Sequence, residues 1–179
     1  KIRTFREVPG DPNSLAGRAV ISLLVDRQGR VWIGSLSGIS RLESIDAKGA
    51  VFHRYGLNGG LSDSTINCML EGIAGHIWFS TNLGLGLLDP EAGSIRGFGV
   101  ADGTQGNEYT SGACLRTASG ALLFGGHGFD IIEPERLRFS SRTASVAFTA
   151  FYAGESRVRL PQSPGQTLTL GPNDRGVHA

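Results

Sequence analysis

Gly75-His-Ile-Trp-Phe-Ser-Thr-Asn-Leu-Gly-Leu-Gly-Leu-Leu-Asp-Pro90 sets a tryptophan inside an apolar run and then spaces glycines through a second one. Laid over Gly29-Arg-Val-Trp-Ile-Gly-Ser-Leu-Ser-Gly-Ile-Ser-Arg-Leu-Glu-Ser44, it matches Gly29 to Gly75, Trp32 to Trp78, Gly38 to Gly84 and Leu42 to Leu88. Each pair is 46 residues apart. The only two tryptophans of the chain are therefore repeat mates. At the same offset Leu15 meets Leu61, Val20 meets Ile66, Leu24 meets Leu70 and Phe52 meets Phe98. A weaker third copy runs from Gly120 to Pro134, with Leu123 in the tryptophan position and one residue deleted before Gly128.

Each copy has the same order of parts. An apolar strand (Val20 to Val25; Ile66 to Leu70; Ala113 to Leu115) leads through a polar turn into a second strand (Val31 to Ile33; Ile77 to Phe79; Leu122 to Phe124). A small-residue turn closed by Gly38, Gly84 or Gly128 then opens a third strand (Ile39 to Leu42; Leu85 to Leu88; Phe129 to Ile132). The first two copies add a fourth, carrying Phe52 and Tyr55, or Ile95 and Phe98. Four short antiparallel strands in about 45 residues is the period of a β-propeller blade. A β-helix or a regular sandwich is the alternative, but Val31-Trp32-Ile33 is apolar at consecutive positions and must be covered on both faces, as a blade between two neighbours is. The glycines after the second strand suit turns that need positive φ or close backbone approach.

Composition agrees with an all-β reading. The chain has 179 residues, 40% hydrophobic and 18% charged, with 27 glycines that keep no Gly-X-Y period. A net charge of +1 and no dense Lys/Arg cluster argue against nucleic acid as a partner. No apolar run approaches the roughly 20 residues that cross a bilayer as a helix, so no membrane contact is expected within this chain. Cys68 and Cys114 are expected as two buried free thiols rather than a disulfide, because two isolated cysteines make no framework. Neither has metal-site spacing, and no cofactor is indicated.

The stretch Asp26-Arg-Gln-Gly-Arg-Val-Trp-Ile-Gly34, followed by Gly38 and preceded by Pro12-Asn-Ser-Leu-Ala-Gly-Arg-Ala-Val-Ile-Ser-Leu-Leu-Val25, resembles the two-component regulator propeller repeat. The resemblance covers roughly residues 5 to 139. It departs from the pattern at Ser80, where the other copies have Gly34 and Gly125, at Gly72 in place of an Asp26-type acid, and at Leu123. Ala101 to Leu137, with its Asn107-Glu108-Tyr109 segment, resembles the last blade of such propellers. Residues 145 to 170 resemble the opening strands of the immunoglobulin-like triple-tyrosine sandwich, incomplete at Ala179.

The resemblance implies a partial β-propeller of about three four-stranded blades plus the first strands of a β-sandwich. Residues 1–14 would end a preceding blade, 15–60, 61–103 and 104–139 would be blades, and 140–179 a linker and sandwich start. It further implies the periplasmic, non-catalytic sensor region of a bacterial hybrid histidine kinase or related receptor, of which this chain is a fragment. The expected partners are an unidentified small ligand, with carbohydrate as the class considered, the other blades of the parent propeller and further copies of the chain. A protein-interaction or assembly module is the alternative. A carbohydrate-active enzyme is disfavoured, since no paired carboxylates or His-based set gathers at one end of the blades.

Candidate ligand-binding residues are those where the third copy differs. His127 sits on the tight turn Gly125-Gly-His-Gly128 with Asp130 nearby, and Asn107, Glu108 and Tyr109 offer hydrogen-bonding groups and a ring suited to a sugar. Each has a plainer role as a turn or blade-junction residue. His53 and His76 are read as solvent-facing, and Trp32 and Trp78 as core.

Overall fold

The computed structural model describes residues 2–47, 49–56 and 60–137, and the backbone of three further strands between 151 and 178. It separates into two units, Lys1–Leu137 and Arg138–Ala179.

The first unit contains three sheets. Blade 1 is β1 (Val20–Val25), β2 (Val31–Ser35), β3 (Gly38–Ile45) and β4 (Ala50–Tyr55) in that spatial order. Blade 2 repeats it with β5 (Cys68–Glu71), β6 (Ile77–Thr81), β7 (Gly84–Asp89) and β8 (Ser94–Phe98). Blade 3 has β9 (Tyr109–Arg116), β10 (Leu122–Gly126) and β11 (Phe129–Ile132), three strands among the described residues. Every pairing is antiparallel. β5 touches both β1 and β9, and β1 also touches β9. The first strand of each blade therefore lies innermost, as in a propeller.

The consecutive apolar residues Ile77, Trp78 and Phe79 of blade 2, which lies between two neighbours, are covered on both faces, as expected. Trp32, Ile39 and Tyr55 of blade 1 join Leu61, Ile66, Met69, Ile77, Phe79 and Leu88 of blade 2 in one buried cluster. One blade further on, Trp78, Leu85 and Leu87 pack with Tyr109, Leu122 and Phe124, with Phe98 and Ile132 at the edge. Burial of a tryptophan needs an outlet for its indole N–H. Trp32 is fully buried and donates to Asp26 Oδ2 at 2.9 Å. Arg30 Nε reaches the same oxygen at 2.6 Å, and the backbone N–H groups of Gln28 and Arg30 donate to Oδ1. Burial alone would push the Asp26 carboxyl up; the hydrogen bonds from Trp32 and Arg30, with the guanidinium charge, outweigh it and hold it below the usual carboxylate range. At Gly72 no such acid exists, and a Cβ there would lie 2.9 Å from Trp78 Cδ1. The second tryptophan fills the space that the acid occupies in blade 1.

Three readings need correction. Phe52 and Phe98 are not equivalent: Phe98 pairs with Leu85 as Tyr55 pairs with Ile39, because the blade 1 hairpin between the third and fourth strands is longer and carries a bulge between Leu42 and Ser44. Accordingly Tyr55 lies against Trp32 (5.9 Å between centroids) and Phe98 stacks on Trp78 (5.1 Å), whereas Phe52 turns to the opposite face with Leu15 and Ile33. Gly38 and Gly84 do have positive φ, 123° and 101°, and a Cβ at Gly38 would lie 2.5 Å from the Tyr55 carbonyl oxygen. Gly128 is not among the positive-φ glycines, and the neighbour a Cβ would meet is the Gln105 side chain at 3.1 Å.

Cys68 and Cys114, expected as two buried free thiols, instead form a disulfide with Cα atoms 6.1 Å apart. Strand pairing explains it. Cys68 pairs with Ser80 and faces blade 3, while Cys114, paired with Phe124, faces back toward blade 2. The two side chains thus meet across one interface between adjacent inner strands, within the 4.4–6.8 Å span of bridged cysteines.

In the second unit β12 (Phe151–Ala153) pairs with β13 (Ser156–Val158) and β14 (Val177–His178), both antiparallel. The remainder of the expected sandwich lies outside the described residues.

Candidate functional site

The turns between second and third strands gather at one end of the propeller, beside the starts of the inner strands. In blade 1 Ser35 Oγ donates to the Gly38 carbonyl at 2.9 Å and accepts from Ser37 N; in blade 2 Thr81 Oγ1 does the same with Gly84 and Leu83. A hydroxyl at the last position of the second strand thus closes each turn. Blade 3 has Gly126 there, and its N–H closes the turn on the Gly128 carbonyl at 2.8 Å. The reason is crowding: a Cβ at Gly126 would collide with the Glu108 carbonyl oxygen and approach Gln105 Nε2 to 2.7 Å. The segment entering blade 3 crosses directly over this turn.

That crossing makes a shallow pocket of about 200 Å³ lined by Asn82, Glu108, Tyr109, Thr110, Gly126 and His127. His127 and Glu108 are exposed on its wall. Tyr109 is 5% exposed, its ring in the blade 2–blade 3 cluster and its hydroxyl donating to Asp130 Oδ2. Burial first, and then the Asp130 carboxylate, push the phenol well above its ordinary range. The same carboxylate accepts Gln105 N at 3.0 Å. Asp130 is therefore a tie between the entry segment and β11, beneath the turn. Asn107 is exposed, and its carbonyl accepts Gly84 N at 2.6 Å, joining blade 2's turn to the entry segment. The structure brings Glu108 and His127 together, and gives Tyr109, Asp130 and the Asn107 backbone roles in building the wall.

Sequence reading missed Asn67. Only 2% exposed, it donates from Nδ2 to Asn82 Oδ1 at 2.9 Å and to the Tyr109 carbonyl at 2.8 Å, while its Oδ1 accepts from Ser111 Oγ at 2.9 Å. It fixes the pocket's floor to both blades. The signal was present: 46 residues earlier the same inner-strand position holds Ile21. Of the other histidines, His53 is exposed and half-buried His76 lies 3.7 Å from Asp89. Among the described residues no three His, Cys, Asp or Glu side chains gather as metal ligands.

Residues 14–37 and 60–83 match the family model described as "Two component regulator propeller". The chain carries two-component regulator propeller repeats. The two matched stretches begin 46 residues apart, the offset of the tryptophans. Comparison with curated proteins gave no match. Among solved structures the propeller fold resembles the extracellular domain assigned to the hybrid two component system BT3049 from B. thetaiotaomicron. That match has a TM-score of 0.61 and 16% identity over 81% of this chain and 21% of the other. The extracellular domain assigned to the one component system BT4673 of the same organism aligns at 0.55, with 24% identity over 69% of this chain and 18% of that one. PorZ, a surface component of the type-IX secretion system of Porphyromonas gingivalis, aligns at 0.50 and 21% identity over 62% of this chain and 17% of its own. The chain thus spans about a fifth of the length of these solved chains, and at such identities the likeness is one of fold. The interblade disulfide is of the kind that persists in oxidising, extracytoplasmic surroundings.

Proposed function

We propose that the chain is part of the periplasmic, non-catalytic sensor propeller of a bacterial two-component receptor, and that it binds a small ligand at the pocket of Glu108 and His127. The observation that carries this reading is the break in the repeat: the third turn gives up its closing hydroxyl, and an exposed carboxylate and imidazole line one pocket with Asn82 and Tyr109, which Asn67 ties together. At about 200 Å³ the pocket is smaller than the roughly 300–1,000 Å³ of drug-sized ligand sites, so it would hold at most one ring of an oligosaccharide. Carbohydrate fits its polar wall: Glu108 accepts from hydroxyls, His127 donates or accepts, and Asn82 and Thr110 extend the hydrogen-bonding rim. Signalling requires that ligand bind one arrangement of the receptor more tightly than another. Here that difference would reside in the entry segment, which touches both the pocket and the blade 2–blade 3 interface.

Binding of the parent's extracytoplasmic region to an oligosaccharide panel, by calorimetry, tests the reading. Glu108→Gln and His127→Ala should each weaken the bound glycan at least about tenfold without lowering the melting temperature. A glycan held equally by both variants, or none bound by the parent, would refute it.

A specific observation favours a second reading, an assembly module. The leading face of blade 1 exposes Leu23 (70%) and Val25 (65%), and the trailing face of blade 3 exposes Leu115 (60%), Phe129 (62%) and Ile131 (59%). Such faces are covered in a propeller, by other blades of the parent or by a second copy. Light scattering separates the two: self-association lost on Leu115→Lys with Phe129→Lys supports covering by a second copy, and a monomer at all concentrations opposes it.

A further inference from the structure

Blade 1 meets blade 2 around a leucine that blade 3 does not supply. In the crossing from β4 to β5, Leu61 is 6% exposed and joins the cluster of Trp32, Ile39 and Tyr55. The residues equivalent to those three are Trp78, Leu85 and Phe98. Counting from the preceding strand, the crossing to blade 3 has Thr104 where the first has Leu61; counting toward the following strand, it has Gly106. Its one large apolar residue, Val100, is 60% exposed on a short 3-10 turn and does not reach inward.

A cleft of about 510 Å³ opens at this place, with Trp78, Leu85, Phe98 and Ile132 among its walls. That volume falls in the range of small-molecule sites. Its mouth carries three carboxylates, Asp102, Asp130 and Glu133. Arg136 is the one cation among the described residues that line it, its guanidinium paired with Glu133 at 2.5 Å, and the Arg96 guanidinium lies 5.3 Å from the centroid of the Phe98 ring. Asp102 accepts Gly99 N through Oδ2 at 3.0 Å. Asp130 holds the Tyr109 hydroxyl and Gln105 N. Each carboxylate keeps lone pairs for a further donor. The cleft therefore joins an aromatic and aliphatic floor to a mouth of net negative charge.

We propose that this unplugged interblade cleft is a second binding site, for a small organic cation with an aromatic or aliphatic body: the body takes the place of the missing leucine and the ammonium group faces Asp102 and Asp130. Phe98, partly exposed and stacked on Trp78 with ring centroids 5.1 Å apart, presents the floor, Trp78 itself being only 2% exposed, and the carboxylates supply charge complementarity that a neutral or anionic ligand of the same shape cannot use. The proposal does not rest on the glycan reading, since the two sites have no lining residue in common.

Three size-matched probes test it: 2-phenylethylamine, 2-phenylethanol and phenylacetate, titrated at moderate salt against the chain with its two indole N–H signals followed by NMR. The amine should bind at least about tenfold tighter than the alcohol, the acid should not bind, and the Trp78 signal should move while that of Trp32 stays. Thr104→Leu restores the plug and should weaken the amine at least about tenfold with an unchanged melting temperature; Asp102→Asn should narrow the gap between amine and alcohol about threefold or more. Equal binding of amine and alcohol, no binding of the amine, or full binding to the Thr104→Leu variant would overturn the proposal.

Discussion

Reducing the Cys68–Cys114 bond removes a cross-link that closes a loop of about 46 residues. In the chain-entropy description such a loop restricts the unfolded ensemble by about 13 cal/mol/K, or about 4 kcal/mol at 25 °C. Nothing in the folded arrangement offsets this, because both cysteines lie on paired strands whose positions the surrounding cluster of Trp78, Leu122 and Phe124 already fixes. With an unfolding entropy of roughly 2.1 cal/mol/K per residue, the Lys1–Leu137 unit should lose about 10–14 °C in melting temperature. Calorimetry of the oxidised chain against the Cys68→Ala, Cys114→Ala double variant measures it without a reductant. The double variant should keep its β spectrum, since small apolar side chains suit both positions. A loss under about 3 °C would mean that the loop is already restricted when unfolded, or that the inner strands of blades 2 and 3 do not meet as described.

Other substitutions probe the interior. Asp26→Ala should cost about 3 kcal/mol in urea unfolding, by leaving Arg30 and the Trp32 indole without their shared acceptor. Because the Asp26 carboxyl is held below its unfolded value of 3.8, its contribution is complete above that pH and disappears as pH falls through the folded value; Asp26→Asn should flatten the acid limb of the stability curve. Ser80→Ala should stabilise by up to about 1 kcal/mol, since Ser80 Oγ is buried without a partner. The raised Tyr109 phenol reverses the pH sign: its contribution is complete below the unfolded value of 10.0 and is lost as pH rises toward the folded one, so Tyr109→Phe should weaken alkaline unfolding's pH dependence.

The architecture was readable because it was written more than once. Trp32 and Trp78, or Gly38 and Gly84, each make a weak local signal, yet their common offset identifies a blade. What eluded the sequence lies where the copies depart from strict spacing. The shorter hairpin of blade 2 moves Phe98 into register with Tyr55, so a constant offset matched it to the wrong aromatic. The disulfide was hidden for a related reason. Cys114 answers Met69 rather than Cys68, and only a position facing forward and one facing back can bond across an interface. Of the candidate site, His127 and Glu108 were legible as differences between copies. Tyr109 was visible, but its burial was not, because that depends on the path of the entry segment over Gly126. Asn67 sits at an apolar position of the repeat, where a polar residue is itself the clue.

The central claim is that successive blades are equivalent, with their first strands meeting around one axis. By that equivalence Ser22, 9% exposed on β1, and Met69, 3% exposed on β5, stand to each other as Cys68 stands to Cys114. Peptide mapping of the Ser22→Cys, Met69→Cys double variant under oxidising conditions, with the native bond kept, is the direct measurement. A new 22–69 bond beside the intact 68–114 bond is the expected result. Two free thiols at 22 and 69, or scrambling with the native pair, would contradict the repeat as the basis of the fold.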